Sequence, residues 1–151
     1  MSNPFDQIRD YIDQYDGDDY VSIESGTPAS EARLKTISGD LGIELPSEYK
    51  RFLSTFGTLD IGGIEFAGAS DAEYLDVVGM RNELVDQHGL PKDLIPLLNE
   101  DGDSYVCIGS DGQLLRWFPS GNAPFRFDES LGTYLLRLCD ELIEDEADDD
   151  D

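Results

Sequence analysis

Asn99, Asp101 and Asp103 alternate along the run Asn99-Glu100-Asp101-Gly102-Asp103-Ser104. That is the spacing with which the first ligands of an EF-hand loop offer their oxygens to calcium. The pattern fails further along, because Ser104 stands where such a loop needs glycine and Ser110 where it needs a bidentate glutamate. Weak, non-specific cation binding is the limit of that chemistry, and the segment reads as a tight polar turn between two strands.

The remaining reactive groups are few. His88 is the one histidine, and Cys107 and Cys139 are far apart in apolar stretches. Zinc sites need His and Cys in clusters, so neither a catalytic nor a structural zinc site is expected. His88 falls at the end of a helical stretch just before Gly89, where a cation complements the helix dipole. No nucleophile elbow or cysteine-enzyme signature lies near it. Carboxylates are too numerous for any spacing to single out a glycosidase pair. Gly62-Gly63 lacks the lysine and the spacing of a phosphate-binding loop. The expectation is a chain with no catalytic residues, no metal site and no cofactor.

Charge bounds the partners. Asp and Glu number 34 against 10 Lys and Arg, a formal net charge of -24, and Lys35, Lys50 and Lys92 are the only lysines. Such a field repels nucleic acid and anionic membranes and draws in basic proteins. The same acidity also serves solubility, or a proteome adapted to high salt, and both accounts stand at this point. Two distant thiols in apolar surroundings are expected to be buried and free, which fits a reducing compartment. The opening Met1-Ser2-Asn3-Pro4-Phe5-Asp6 has neither a basic nor an apolar leader region, and no apolar run approaches membrane length. A cytoplasmic protein, monomeric or weakly dimeric, is expected.

The elements that must position these residues follow from periodicity. Asn3 caps a first helix with Pro4 at its first position and Phe5, Ile8, Ile12 and Tyr15 on one face. Residues 20–24 form a short strand or an extended linker. Leu34, Ile37 and Leu41 mark a second helix stopped by Gly42, and Tyr49, Phe52, Leu53 and Phe56 a third ending at Gly57. Residues 61–67 read as one strand. Ser70 and Glu73 read as a capping box for a helix carrying Tyr74, Val77, Val78, Leu84 and Val85. Residues 94–98 contain Pro96, hence an edge strand or a bulge. Residues 105–110 and 113–118 flank Asp111-Gly112 as a hairpin, and 125–127 form another short strand. Leu131, Tyr134, Leu135, Leu138 and Leu142 mark a closing helix. Nine of the last twelve residues are acidic, so 143–151 is expected to be a disordered acidic tail after a single domain over 1–142. The order fits an α+β fold with helices packed on one side of a largely antiparallel or mixed sheet.

Four pieces, in order, resemble the SUKH superfamily. They are Leu45-Pro46-Ser47-Glu48-Tyr49-Lys50-Arg51-Phe52-Leu53 with Phe56-Gly57, Pro96-Leu97-Leu98 followed by Gly102-Asp103-Ser104-Tyr105-Val106-Cys107-Ile108, the strand at 115–118, and Asp128-Glu129-Ser130-Leu131-Gly132-Thr133-Tyr134-Leu135-Leu136. The last is similar to the Ser-Phe start of the family's final helix, with Leu131 in place of Phe. The resemblance spans about residues 28–142. The segment around Ser120-Gly121-Asn122 departs from the acidic turn of relatives, and the residues after Gly57 lack their polar run.

That resemblance implies an α+β fold without catalytic residues. In bacterial members it implies an immunity protein that binds and neutralises a cognate toxin, often a nuclease. The yeast branch, which regulates cell-wall synthesis, implies the alternative of a non-catalytic regulatory scaffold. Nuclease active sites carry Lys and Arg for phosphate, which suits an acidic antidote. The expected partner is therefore a basic toxin domain. The candidate contact residues are Glu100, Asp101, Asp103, Asp111 and Trp117, at the ends of the hairpin strands where loops carry function. Asp16, Asp18 and Asp19 form an equally acidic second patch. Trp117 reads either as a core anchor or as a binding hot spot.

Overall fold

The computed structural model describes residues 3–148. Helix α1 (Pro4–Gln14) begins as expected, with Asn3 accepting from the amides of Phe5 and Asp6. Strand β1 (Ile23–Ser25) follows, then α2 (Glu31–Leu41), capped by Ser30 and closed by left-handed Gly42, and α3 (Ser47–Thr55). The expected single strand at 61–67 is instead a hairpin of β2 (Leu59–Ile61) and β3 (Ile64–Phe66). Gly62 and Gly63, with φ of 59° and 94°, supply the two positive-φ residues that a two-residue hairpin turn demands. Their sequence signal is turn chemistry, not the start of a strand.

The helix expected from Ser70 begins later. The Ser70 hydroxyl accepts from the Ala72 amide, a 3₁₀ turn covers Glu73–Leu75, and Asp76 caps α4 (Val77–His88) by accepting from the Val78 amide. Strands β4 (Leu94–Glu100), β5 (Ser104–Gly109), β6 (Leu114–Trp117) and β7 (Phe125–Arg126) precede α5 (Leu131–Asp148). The pairing of β4 with β5 shifts register between Pro96 and Leu98, the bulge that proline foretold. Helix α5 runs on to Asp148 where a disordered tail from 143 was expected. Leu142 and Ile143 pack against the core and anchor that turn, while residues 149–151 lie outside the described residues.

The result is a single α+β domain with two antiparallel sheets, ordered β1-β2-β3 and β4-β5-β6-β7. One hydrogen bond, from the Ala67 amide to the Leu97 carbonyl at 2.7 Å, ties the two at their adjoining edges. Strand alternation sends Ile95, Val106, Ile108 and Leu114 into a main core with α1, α3 and α5, around Tyr49, Phe52, Phe56 and Phe66. The opposite face of the larger sheet carries Tyr105, Cys107, Leu115 and Trp117, covered by Leu84 of α4 and by Leu90. Both thiols are free and buried.

Candidate functional site: an acidic, apolar-floored groove

Strands β3 and β4 are the terminal strands of their sheets, and below the Ala67–Leu97 bond they part. The 3₁₀ turn and the start of α4 close the third side. Between them lies a groove of about 520 Å³, with Leu75, Met80 and Leu98 on its apolar floor and Ile64 and Tyr74 on its rim. It adjoins a second hollow of about 200 Å³, reached past Tyr74, Met80 and Asn99 and bounded by Glu83 and His88. Tyr74 is 68% exposed and Ile64 39%, and among the described residues they are the two large exposed apolar side chains that meet at one hollow, Tyr20 and Phe125 standing elsewhere.

The electrostatics of the two hollows are one-sided. Glu65, Glu73, Glu83, Glu100 and Asp101 line them, and no Lys or Arg does. Among the described residues, Glu100 alone of the five is in an ion pair, with Arg116. Burial first, and then the charge of Glu83, push the phenol of Tyr105 upward.

The structure sorts the expected contact residues. Asp101 and Asp103 stand exposed on the turn between β4 and β5, and Asp101 lines the groove. Asn99 accepts from the Gly102 amide at 2.7 Å, and Asp101 takes a φ of 58°, so the run is a strained polar turn. Among the described residues no group of three or more His, Cys, Asp or Glu side chains is placed to hold a metal ion. Glu100 is half-buried beside Arg116. Asp111, exposed on the following turn, caps the amide of Gln113 at the opposite end of β5, so it does not join the other three. Trp117 is only 8% exposed and packs its ring 6.2 Å from that of Tyr105, which makes it a core anchor. In the second acidic patch, Asp18 is spent on the chain itself. It accepts from the amides of Tyr20 and Val21 at 2.8 Å, and those bonds hold its carboxyl below the usual range.

Ile64 and Tyr74 are the site residues that sequence reading passes over. Tyr74 fits a helical stripe by spacing, and only the late helix start turns it outward. Ile64 becomes a rim residue only once Gly62-Gly63 is read as a turn. The two thiols offer little chemistry. Burial pushes Cys107 well up, and burial with Asp140 pushes Cys139 up to about 12, so both stay protonated. His88 is exposed at the end of α4, where the dipole reading put it.

Among the described residues no helix is long and apolar enough to cross a membrane. Residues 7–139 match the sequence model of the SMI1-KNR4 cell-wall family. A solved structure described as a protein from Pseudomonas syringae pv. tomato superposes with a TM-score of 0.60 at 23% identity, over 84% of this chain and 86% of that one. No curated protein matches the chain.

Proposed function

The chain belongs to the SMI1-KNR4 cell-wall family of the SUKH superfamily, and from that premise we propose that it is a non-catalytic binding protein that neutralises a basic toxin domain by stoichiometric docking. The observation that carries the reading is uncompensated charge. Of 34 acidic residues, only Glu100, Glu129 and Glu141 enter ion pairs among the described residues, and two arginines serve all three. A surface so loaded costs folding energy through self-repulsion. A basic partner offsets that cost and is steered in quickly at low salt. Asp101 and Asp103 lead the contact surface, Glu100 supports it from its pair with Arg116, and Asp111 belongs to a separate edge. The protein works as a monomer or weak dimer, since a second copy brings the same charge, and a cytoplasmic setting suits its two buried free thiols.

Co-expression with candidate basic toxin domains from its gene neighbourhood tests the reading. Survival of the cells together with a one-to-one complex on purification is the expected result. Death without a complex rejects it. The alternative is a regulatory scaffold, which the cell-wall description of the matching family favours. It then predicts copurification with host cell-wall regulators and no protection.

A further inference from the structure

We propose that the groove between β3, β4 and the 3₁₀ turn receives one extended segment of the partner, carrying an apolar side chain flanked by Lys or Arg; this rests on the protein-binding reading above and gives it an address. Three observations converge there. The first is shape. A space of about 520 Å³ accepts one or two side chains and their backbone but no folded element, and its walls are two edge strands beside which an extended chain can lie.

The second is the floor. Leu75, Met80 and Leu98 offer an apolar surface, and Met80 adapts to whatever enters it. The exposed faces of Tyr74 and Ile64 give the entering side chain two further walls. The third is charge. Glu65, Glu73, Glu83 and Asp101 ring the hollows without an ion pair among the described residues. A Lys or Arg on either side of the apolar anchor meets a carboxylate with its head and Tyr74 with its stem or cation. A second copy of this chain, a nucleic acid and an anionic lipid surface each bring negative charge to a negative rim, so they are the wrong occupants.

The test is an NMR titration of the full ¹⁵N-labelled chain with a hexapeptide of alternating Arg and Leu, at about 150 mM salt, where surface charge is partly screened. Peptides with Glu for Arg, or Ser for Leu, serve as controls. The amides of Ile64, Glu65, Tyr74, Met80 and Asn99 should move first, and both controls should bind about tenfold more weakly or worse. The double variant Ile64→Ser with Tyr74→Ser alters two exposed side chains, so it should keep the parent spectrum elsewhere. It should also lose about tenfold in peptide affinity. Shifts spread over Asp13 and Asp19, unchanged binding by the double variant, or no shifts would each overturn the groove assignment. Failure of the protein-binding reading is separate. If the double variant protects cells from the toxin domain as well as the parent chain, the groove is wrong and the reading stands. If the parent chain itself neither protects nor binds, the reading falls.

Discussion

Arg116 holds Glu100 by both carboxylate oxygens, Nε donating to Oε1 at 2.7 Å and Nη2 to Oε2 at 3.1 Å. The Ser104 hydroxyl donates to the same Oε1 at 2.9 Å, and the guanidinium lies 5.1 Å from the centre of the Phe127 ring. One cluster thus ties the end of β4 to β5, to β6 and to the chain entering α5. It also fixes the edge of the groove.

Arg116→Met removes the cation and leaves Glu100 half-buried beside Ser104. Both side chains are about one-third exposed or less, so solvent screens the loss only in part. Urea unfolding should show a loss of about 1–2 kcal/mol. Glu100→Gln should cost less, because the amide oxygen still accepts from Arg116.

Trp117 separates packing from recognition. Trp117→Ala opens a cavity in the cluster under α4 and should cost about 3–5 kcal/mol in the same measurement. Trp117→Phe should retain the fold and leave partner affinity within about twofold, since a ring 8% exposed contributes little to an interface. A large loss of affinity in a folded Trp117→Phe chain would return that residue to the contact surface.

Tyr11 donates to Asp140 at 2.7 Å across the seam between α1 and α5, and that bond, with burial, raises its phenol to about 12. A raised pKa of this kind stabilises fully below the unfolded value near 10, since the phenol is then protonated in both states. Above pH 10 the unfolded chain loses its proton first, and the contribution is gone once pH passes about 12. The stability gap between the parent chain and Tyr11→Phe should therefore be about 1 kcal/mol at pH 8 and close through that window. Chemical unfolding at successive pH values reads it directly.

Gly57 has a φ of 73°, and a Cβ there would overlap the backbone carbonyl of Thr27. Its own carbonyl accepts from the Ala69 amide at 3.1 Å. Gly57→Ala strains φ and pushes apart two backbones that cannot yield separately. The variant should lose more than the roughly 1 kcal/mol of a simple left-handed glycine, with Tm falling by several degrees.

These contrasts locate what the sequence could and could not show. Helices α1 and α2 were legible because a capping side chain and apolar spacing agreed on each, and α3, which starts after Pro46 without a side-chain cap, from its apolar spacing and the glycine that follows it. The α+β class and the family resemblance followed from the order of the same signals. The start of α4 was not legible, since Ser70-Asp71-Ala72-Glu73 satisfies the capping-box pattern while Asp76 makes the cap. Nor was the end of α5, where composition argued for solvation and the packing of Leu142 and Ile143 prevailed. The turn acids were placed correctly as loop residues. That Asp111 stands at the far end of β5 from Asp101 and Asp103 is a fact of strand direction, visible in the hairpin pairing. The groove combines β3, β4 and the 3₁₀ turn, a tertiary meeting that no local pattern encodes.

Binding of a basic protein partner by the acidic surface is read most directly by calorimetric titration of the chain with a purified basic toxin domain from its gene neighbourhood. Saturation at one to one is expected, with affinity falling about tenfold or more between about 50 and 500 mM salt as the charges are screened. Absence of saturable binding, or binding indifferent to salt, would contradict it.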